Sequence, residues 1–228
     1  MSTLAIIPAR GGSKRIPRKN IKDFVGKPII AYSIEAALQS GVFDTVMVST
    51  DDREIAEIAK KYGAEVPFLR SAEASTDLSG ISPVLLEVLD EYEKRGKFFS
   101  HVCCIFPCAP FTTSDRIKEG MNLLMDNKAQ SVLPVVQFSS PPQRCVVIRG
   151  GRASMLHPEN SKVRSQDFEP LYHDVGQFYC FTTEAIRLAE CLCYDYTVPL
   201  VLSEKEVQDI DTPDDWTAAE IKYQILNG

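Results

Sequence analysis

Residues 4–8, Leu4-Ala5-Ile6-Ile7-Pro8, run directly into Ala9-Arg10-Gly11-Gly12-Ser13-Lys14-Arg15-Ile16-Pro17-Arg18-Lys19-Asn20. A short apolar run ending at a glycine pair reads as a parallel strand buried on both faces, with a loop at its carboxyl end. Pro17 interrupts any helix beyond it, so the loop reads as an extended lasso and not a glycine turn feeding a helix. It matches neither GxxxxGK[ST] nor GxGxxG, which disfavours a P-loop ATPase and a nicotinamide dehydrogenase.

Outward from this strand the chain alternates. Ile30, Ile34, Ala37 and Leu38 recur at helical spacing over 28–40, and Gly41 stops that helix. Residues 45–49 form a second apolar strand. Asp51 is placed to cap a helix over 52–62, which Gly63 ends. Residues 65–69 read as a third, shorter strand, 81–94 as a helix, 101–106 as a fourth strand, and 114–126 as a helix capped by Ser114. Such alternation predicts an α/β fold, a doubly wound and mostly parallel sheet that binds its ligand beyond the carboxyl ends of the strands. After residue 130 the rhythm changes. Residues 131–136, 144–149, 177–181 and 197–202 read as strands, with Gly150-Gly151 a hairpin turn. Residues 152–173 carry no clear period, and Pro213 opens a closing helix. The 228 residues suit one domain, with 137–175 as an inserted or appended lobe.

The chain carries a net charge of −6, which excludes nucleic acid as a default partner. Residues 10–22 nonetheless hold six cations and no acid: Arg10, Lys14, Arg15, Arg18, Lys19 and Lys22. That leaves 19 of the 25 basic residues against 31 acidic ones elsewhere, a balance of −12. The positive field is thus concentrated where an α/β sheet binds its ligand, and it suits a triphosphate. Gly11 and Gly12 let backbone amides face phosphate oxygens, while arginine and lysine neutralise a departing pyrophosphate. A solvated charge run is the plainer alternative. There are seven cysteines and no paired CxxC motif, so free, mostly buried thiols in a reducing cytosol are expected, not a zinc site. Cys108 as a nucleophile lacks an evident histidine partner. No stretch is long and apolar enough for a bilayer and no signal peptide is evident, so a cytoplasmic protein without a membrane partner is expected.

The second strong signal is Gln208-Asp209-Ile210-Asp211-Thr212-Pro213-Asp214-Asp215-Trp216. On an extended segment Asp209 and Asp211 project to one side. Two neighbouring carboxylates repel unless a cation lies between them, and Mg²⁺ shared with phosphate oxygens resolves the repulsion. Asp214 and Asp215 fall in the first turn of a helix and read as structural.

The block IPARGGSKRIPRKN resembles the N-terminal signature of the CMP-sialic acid synthetase family of cytidylyltransferases. VSTDD over 48–52 and DIDT over 209–212 resemble further segments of that family. The resemblance implies a Rossmann-like, nucleotide-diphospho-sugar transferase type of fold with a small dimerisation lobe, a homodimer, CTP as co-substrate, Mg²⁺, and an acidic nine-carbon sugar as acceptor. It implies catalytic roles for Arg10, Lys19, Asp209 and Asp211, the two aspartates binding metal. Nucleotide contacts would come from Arg10, Gly11, Gly12, Ser13, Lys14, Lys19, Asn20 and Arg70, and from a serine that is either Ser79 or Ser82, near Asp77. Family members that act on N-acetylneuraminate carry a QPTSPLR-like segment where this chain has Phe106-Pro107-Cys108-Ala109-Pro110-Phe111. A phenyl ring at Phe106 cannot make the glutamine's hydrogen bonds. This departure and the segment Gly176-Gln177-Phe178-Tyr179 resemble the branch acting on pseudaminic acid. Phe106 and Gln177 are then the expected sugar contacts, with Arg144 and Arg164 candidates for the sugar carboxylate and His173 a less favoured catalytic group. Remaining alternatives are N-acetylneuraminic, legionaminic or ketodeoxyoctonic acid as acceptor, a nucleotidyltransferase using another base or acceptor, and a catalytically silent nucleotide-binding module.

Overall fold

The computed structural model describes residues 2–75, 80–188 and 195–227. Residues 76–79, which include Asp77 and the candidate Ser79, lie outside the described residues, as do Cys191 and Cys193. In chain order the elements are β1 (Thr3–Pro8), β2 (Asp23–Phe24), β3 (Lys27–Pro28), α1 (Ile29–Ser40), β4 (Thr45–Ser49), α2 (Arg53–Lys61), α3 (Ile81–Lys94), β5 (His101–Ile105) and α4 (Ser114–Asp126). They continue with β6 (Ser131–Gln137), β7 (Val146–Arg149), β8 (Arg152–Met155), β9 (Tyr172–Asp174), β10 (Phe178–Thr182), α5 (Thr183–Leu188), β11 (Thr197–Val201) and α6 (Pro213–Asn227).

The central sheet runs in the order β11-β6-β10-β5-β1-β4, with β9 added alongside β6. β1 pairs in parallel with β4 and β5, and β11 pairs in parallel with β6, while β10 runs antiparallel between β5 and β6. The sheet is therefore doubly wound and mostly parallel. Alternate residues of β1 explain its burial on both faces. Ala5 and Ile7 pack with Ile30 and Ile34 of α1, Ile55 of α2 and Ile117 and Met121 of α4. Leu4 and Ile6 pack on the opposite face with Leu85, Val88 and Tyr92 of α3 and Ile186 of α5.

Three expectations need correction. Residues 65–69 are not a strand: Glu65 alone bridges Met47, and Pro67, with no N–H to offer, ends the pairing. Asp52 rather than Asp51 caps α2, its side chain accepting from the Glu54 and Ile55 amides at 2.9 and 3.1 Å. Thr113 rather than Ser114 caps α4, accepting from the Arg116 amide.

Beyond β6 the chain forms the β7–β8 hairpin, which turns at Gly150 and Gly151 with φ of 55° and 73°. Both central residues lie in the left-handed region that a type I′ turn requires. The hairpin pairs with no strand of the central sheet. It exposes Val146 at 56% and Ile148 at 75%. Residues 152–173, in which no period was expected, supply β8 and the first two residues of β9. No helix among the described residues is long and apolar enough to cross a membrane.

A third apolar cluster decides where the ends of the chain meet. Ile16 of the lasso packs with Phe24, Ile29, Tyr32, Phe111, Ile210 and Trp216. Ile210, 2% exposed, sits between the two aspartates, and Trp216, 3% exposed, lies in the first turn of α6. Phe24 and Trp216 meet edge to face at 5.5 Å.

Candidate active site

The carboxyl ends of β1, β4 and β5 lie at one end of the sheet, and a cleft of about 480 Å³ opens there. Its walls include Arg10, Ser13, Lys14, Lys19 and Asn20 of the lasso, Arg70 after β4, Phe106 after β5, and Asp211 before α6. Eight residues chosen from sequence thus share one cleft. Arg15, counted among the six cations but given no role, lines it too.

The lasso is fastened along both limbs. The Gly11 amide donates to Asp51 Oδ1 at 2.8 Å. A Cβ on Gly11 would stand 2.6 Å from Asp52 Oδ2, so only glycine fits against that carboxylate. Arg18, in the left-handed region at φ 55°, donates to both Asp52 and Glu54. The Arg18 hydrogen bond holds the Asp52 carboxyl below its usual range. Farther along, Asn20 donates from Nδ2 to the Arg10 carbonyl at 2.8 Å. Arg70 is buried, with Nε on Ser49 Oγ at 3.0 Å and Nη2 on the Ser49 carbonyl at 2.5 Å, so it reaches the cleft from a fixed base.

The same loop meets the aspartates. Arg15 Nη1 lies 2.8 Å from Asp211 Oδ2, and Lys19 Nζ lies 3.5 Å from Asp211 Oδ1 and 2.6 Å from the Ile210 carbonyl. The neighbouring carboxyl of Asp209 is pushed above the usual aspartate range, by desolvation first and by the Asp211 charge second. A hydrogen bond from the Ile210 backbone and the Lys19 charge oppose that rise. Among the described residues Asp209 has no ion-pair partner. Asp215 orders the turn: its Oδ2 accepts from the amides of Asp211 and Thr212 and from the Thr212 hydroxyl at 2.8–3.1 Å.

Asp209 does not line the cleft. It borders a second pocket of about 450 Å³ with His173, Asp174, Gly176 and Gln208. The aspartate pair therefore stands on the boundary between two pockets. Among the described residues no cluster of three or more His, Cys, Asp or Glu side chains forms a cation site. Two carboxylates with room for phosphate and water oxygens are nonetheless the hard, incomplete donor set that Mg²⁺ takes.

Six expected contacts fall elsewhere. The Gly11 amide faces Asp51, not the cleft, and Gly12 is not on the cleft wall. Ser82 is turned away, because Ile81 and Val84, one helical turn apart, are the residues of α3 that face the cleft. Gln177 is 2% exposed and lines neither pocket, its Nε2 donating to the Glu206 carbonyl at 2.6 Å. Its carbonyl accepts from the Phe106 amide at 2.8 Å, so it supports the end of β5. Tyr179, 2% exposed, also lines neither pocket: its hydroxyl donates to Asp174 Oδ2 at 2.6 Å and its ring meets Phe106 edge to face at 5.5 Å. His173 stacks on Phe138 and its Nδ1 contacts the Asp174 carbonyl. Arg144 and Arg164 lie between β6 and β9 and line neither pocket. Burial pushes the Cys108 thiol up to about 12, which argues against a nucleophile.

With this geometry in view, the sequence profile of the cytidylyltransferase family matches residues 4–141. The chain belongs to the cytidylyltransferase family. A pseudaminic acid cytidylyltransferase of Campylobacter jejuni is 40% identical over 226 residues, spanning 99% of this chain and 97% of its own length. A CMP-N,N'-diacetyllegionaminic acid synthase of Legionella pneumophila is 36% identical over 234 residues, spanning 100% and 98%. Among solved structures, a CMP:2-keto-3-deoxy-manno-octonic acid synthetase complexed with CTP matches with a TM-score of 0.70 at 18% identity, covering 99% of both chains. That likeness bears on the fold alone. This cytidylyltransferase is accordingly an enzyme of nucleotidyl transfer.

The packing at Gly11 makes a direct prediction. Gly11→Ala forces Asp52 to shift and should destabilise the protein by about 1–3 kcal/mol. Gly12→Ala, whose Cβ meets nothing within 4 Å, should leave the unfolding midpoint in place. Urea denaturation of both variants checks this, and equal midpoints would contradict the close packing.

Proposed function

We propose that this cytidylyltransferase transfers CMP from CTP to an acidic nine-carbon sugar, pseudaminic acid by preference, and releases pyrophosphate. The carrying observation is the meeting of the lasso with Asp211 through Arg15 and Lys19 at the mouth of one cleft. In the reaction the anomeric hydroxyl of the sugar attacks the α-phosphorus of CTP in line. The new P–O bond forms as the bond to the β-phosphate oxygen breaks; the hydroxyl proton passes to solvent, and pyrophosphate departs with the electron pair of the broken bond. Arg10, Lys14, Arg15 and Lys19 face the cleft where negative charge develops on the leaving group. Asp209 and Asp211 would hold Mg²⁺, which supplies charge neutralisation and a more acidic hydroxyl. Their position between the two pockets supports nucleotide binding in the larger one and sugar in the one beside Asp209.

Phe106 lines the larger cleft and not the pocket beside Asp209, so the preference for pseudaminic acid rests on the resemblance of its segment to that branch and on the relatives. The Campylobacter relative's specificity supports the same choice, and the Legionella relative keeps a legionaminic acid as the second reading. Free thiols and a nucleotide substrate support a cytoplasmic setting. A homodimer is part of the proposal: the exposed Val146 and Ile148 of the lobe offer an apolar face that a second copy would cover.

Pyrophosphate release from CTP should require Mg²⁺ and be fastest with pseudaminic acid in a panel of nonulosonic acids. Asp211→Ala should lower turnover at least about 10²–10³-fold with the fold retained. An unchanged rate removes the aspartate assignment, and no release with any sugar favours the silent module. For the lobe, Ile148→Asp should convert dimers to monomers in light scattering, and a wild-type monomer would refute the dimer.

A further inference from the structure

Cys108 lies in the turn between β5 and α4, and the reaction as proposed gives it no part. Its Sγ stands 3.2 Å from Asn20 Oδ1, a thiol donating to an amide oxygen. The opposite end of the same amide donates to the Arg10 carbonyl at 2.8 Å. An asparagine amide is nearly symmetric in shape but not in bonding: one end accepts and the other donates. Turned over, its oxygen would face the Arg10 carbonyl, two acceptors against each other, and its NH₂ would face sulfur, a weak acceptor. Both neighbours therefore select the same orientation, Cys108 from one side and Arg10 from the other.

Asn20 is only 5% exposed, so water is poorly placed to replace a lost donor. Cys108 itself packs on the cluster of Ile16, Ile210 and Trp216. The contact thus joins three separate parts of the site: the start of the lasso at Arg10, its end at Asn20, and the turn after β5 beside Phe106. It is also independent of the carboxylates that fasten Gly11 and Arg18 from the other side. We propose that Cys108 is a positioning residue for nucleotide binding, its thiol fixing the Asn20 amide and, through it, the Arg10 backbone at the edge of the phosphate cleft.

This inference rests on the proposed function only in taking CTP as the ligand. Its test reads binding and not turnover. The dissociation constant of CTP with Mg²⁺ is measured by calorimetry for wild type, C108A and C108S, together with unfolding midpoints. Alanine and serine are close in size, so lost packing is common to both, and only serine keeps a donor. C108A should bind CTP about tenfold more weakly than C108S, at similar unfolding midpoints. C108S should recover most of the wild-type affinity. Equal affinity in the two variants overturns the proposal and leaves Cys108 a packing residue. If either variant fails to fold, Cys108→Thr and Cys108→Val form a second matched pair with the same expected difference. Failure of the proposed function would be seen separately, as absent pyrophosphate release by wild-type protein that still binds CTP.

Discussion

The apolar cluster that Ile16 shares with Ile210 and Trp216 brings together two segments that are almost two hundred residues apart. Ile16 lies in the middle of the cationic lasso and Ile210 between the two aspartates, so one apolar cluster brings both sets of charges together. Magnitudes indicate which interaction leads. Burying an isoleucine or a comparable side chain contributes about 1.5–3 kcal/mol, whereas an exposed ion pair contributes about 0–1 kcal/mol. Arg15 is 68% exposed in its pair with Asp211. The apolar cluster therefore holds the segments together, and the ion pairs orient what it has already placed.

A loop with six cations in thirteen residues repels itself, and the protein answers with carboxylates at its rim. Asp51 takes the Gly11 amide, Asp52 and Glu54 take Arg18, and Asp211 takes Arg15 and Lys19. The first three contacts lie at the edge of α2 and fasten the loop. The last lies in the cleft, where a triphosphate would compete with Asp211 for the same two cations. On the proposed reading, nucleotide binding would free carboxylate oxygens of Asp211 beside Asp209, whose own ionisation is already opposed by desolvation and by its neighbour. On the same reading, a divalent cation arriving with the nucleotide would relieve both charges at once, and occupation by phosphate would be coupled to a place for the metal.

Much of this was legible in the sequence. β1, β4 and β5 announce themselves as unbroken apolar runs, and the lasso and the aspartate pair stand out as charge patterns. What failed did so for reasons of long range. Nothing local tells Asp51 from Asp52; the Gly11 amide, forty residues away, decides which of them caps α2. Glu65 to Leu69 carries the composition of a strand, but Pro67 removes the donor needed to extend it. Gln177 looks like a free polar side chain until the register of β10 carries it to the Glu206 carbonyl. Ser82 and Val84 are separated only by helical phase. β8 and β9 are short and mostly polar, and they form by pairing with β7 and β6, not by propensity.

Hydrogen exchange across the chain, with and without CTP and Mg²⁺, tests most directly whether the lasso and the aspartates flank one pocket. The account predicts that amides in 10–22 and in 207–216 slow together on addition of CTP with Mg²⁺, over the same concentration range. Protection of either segment while the other exchanges as before would contradict it.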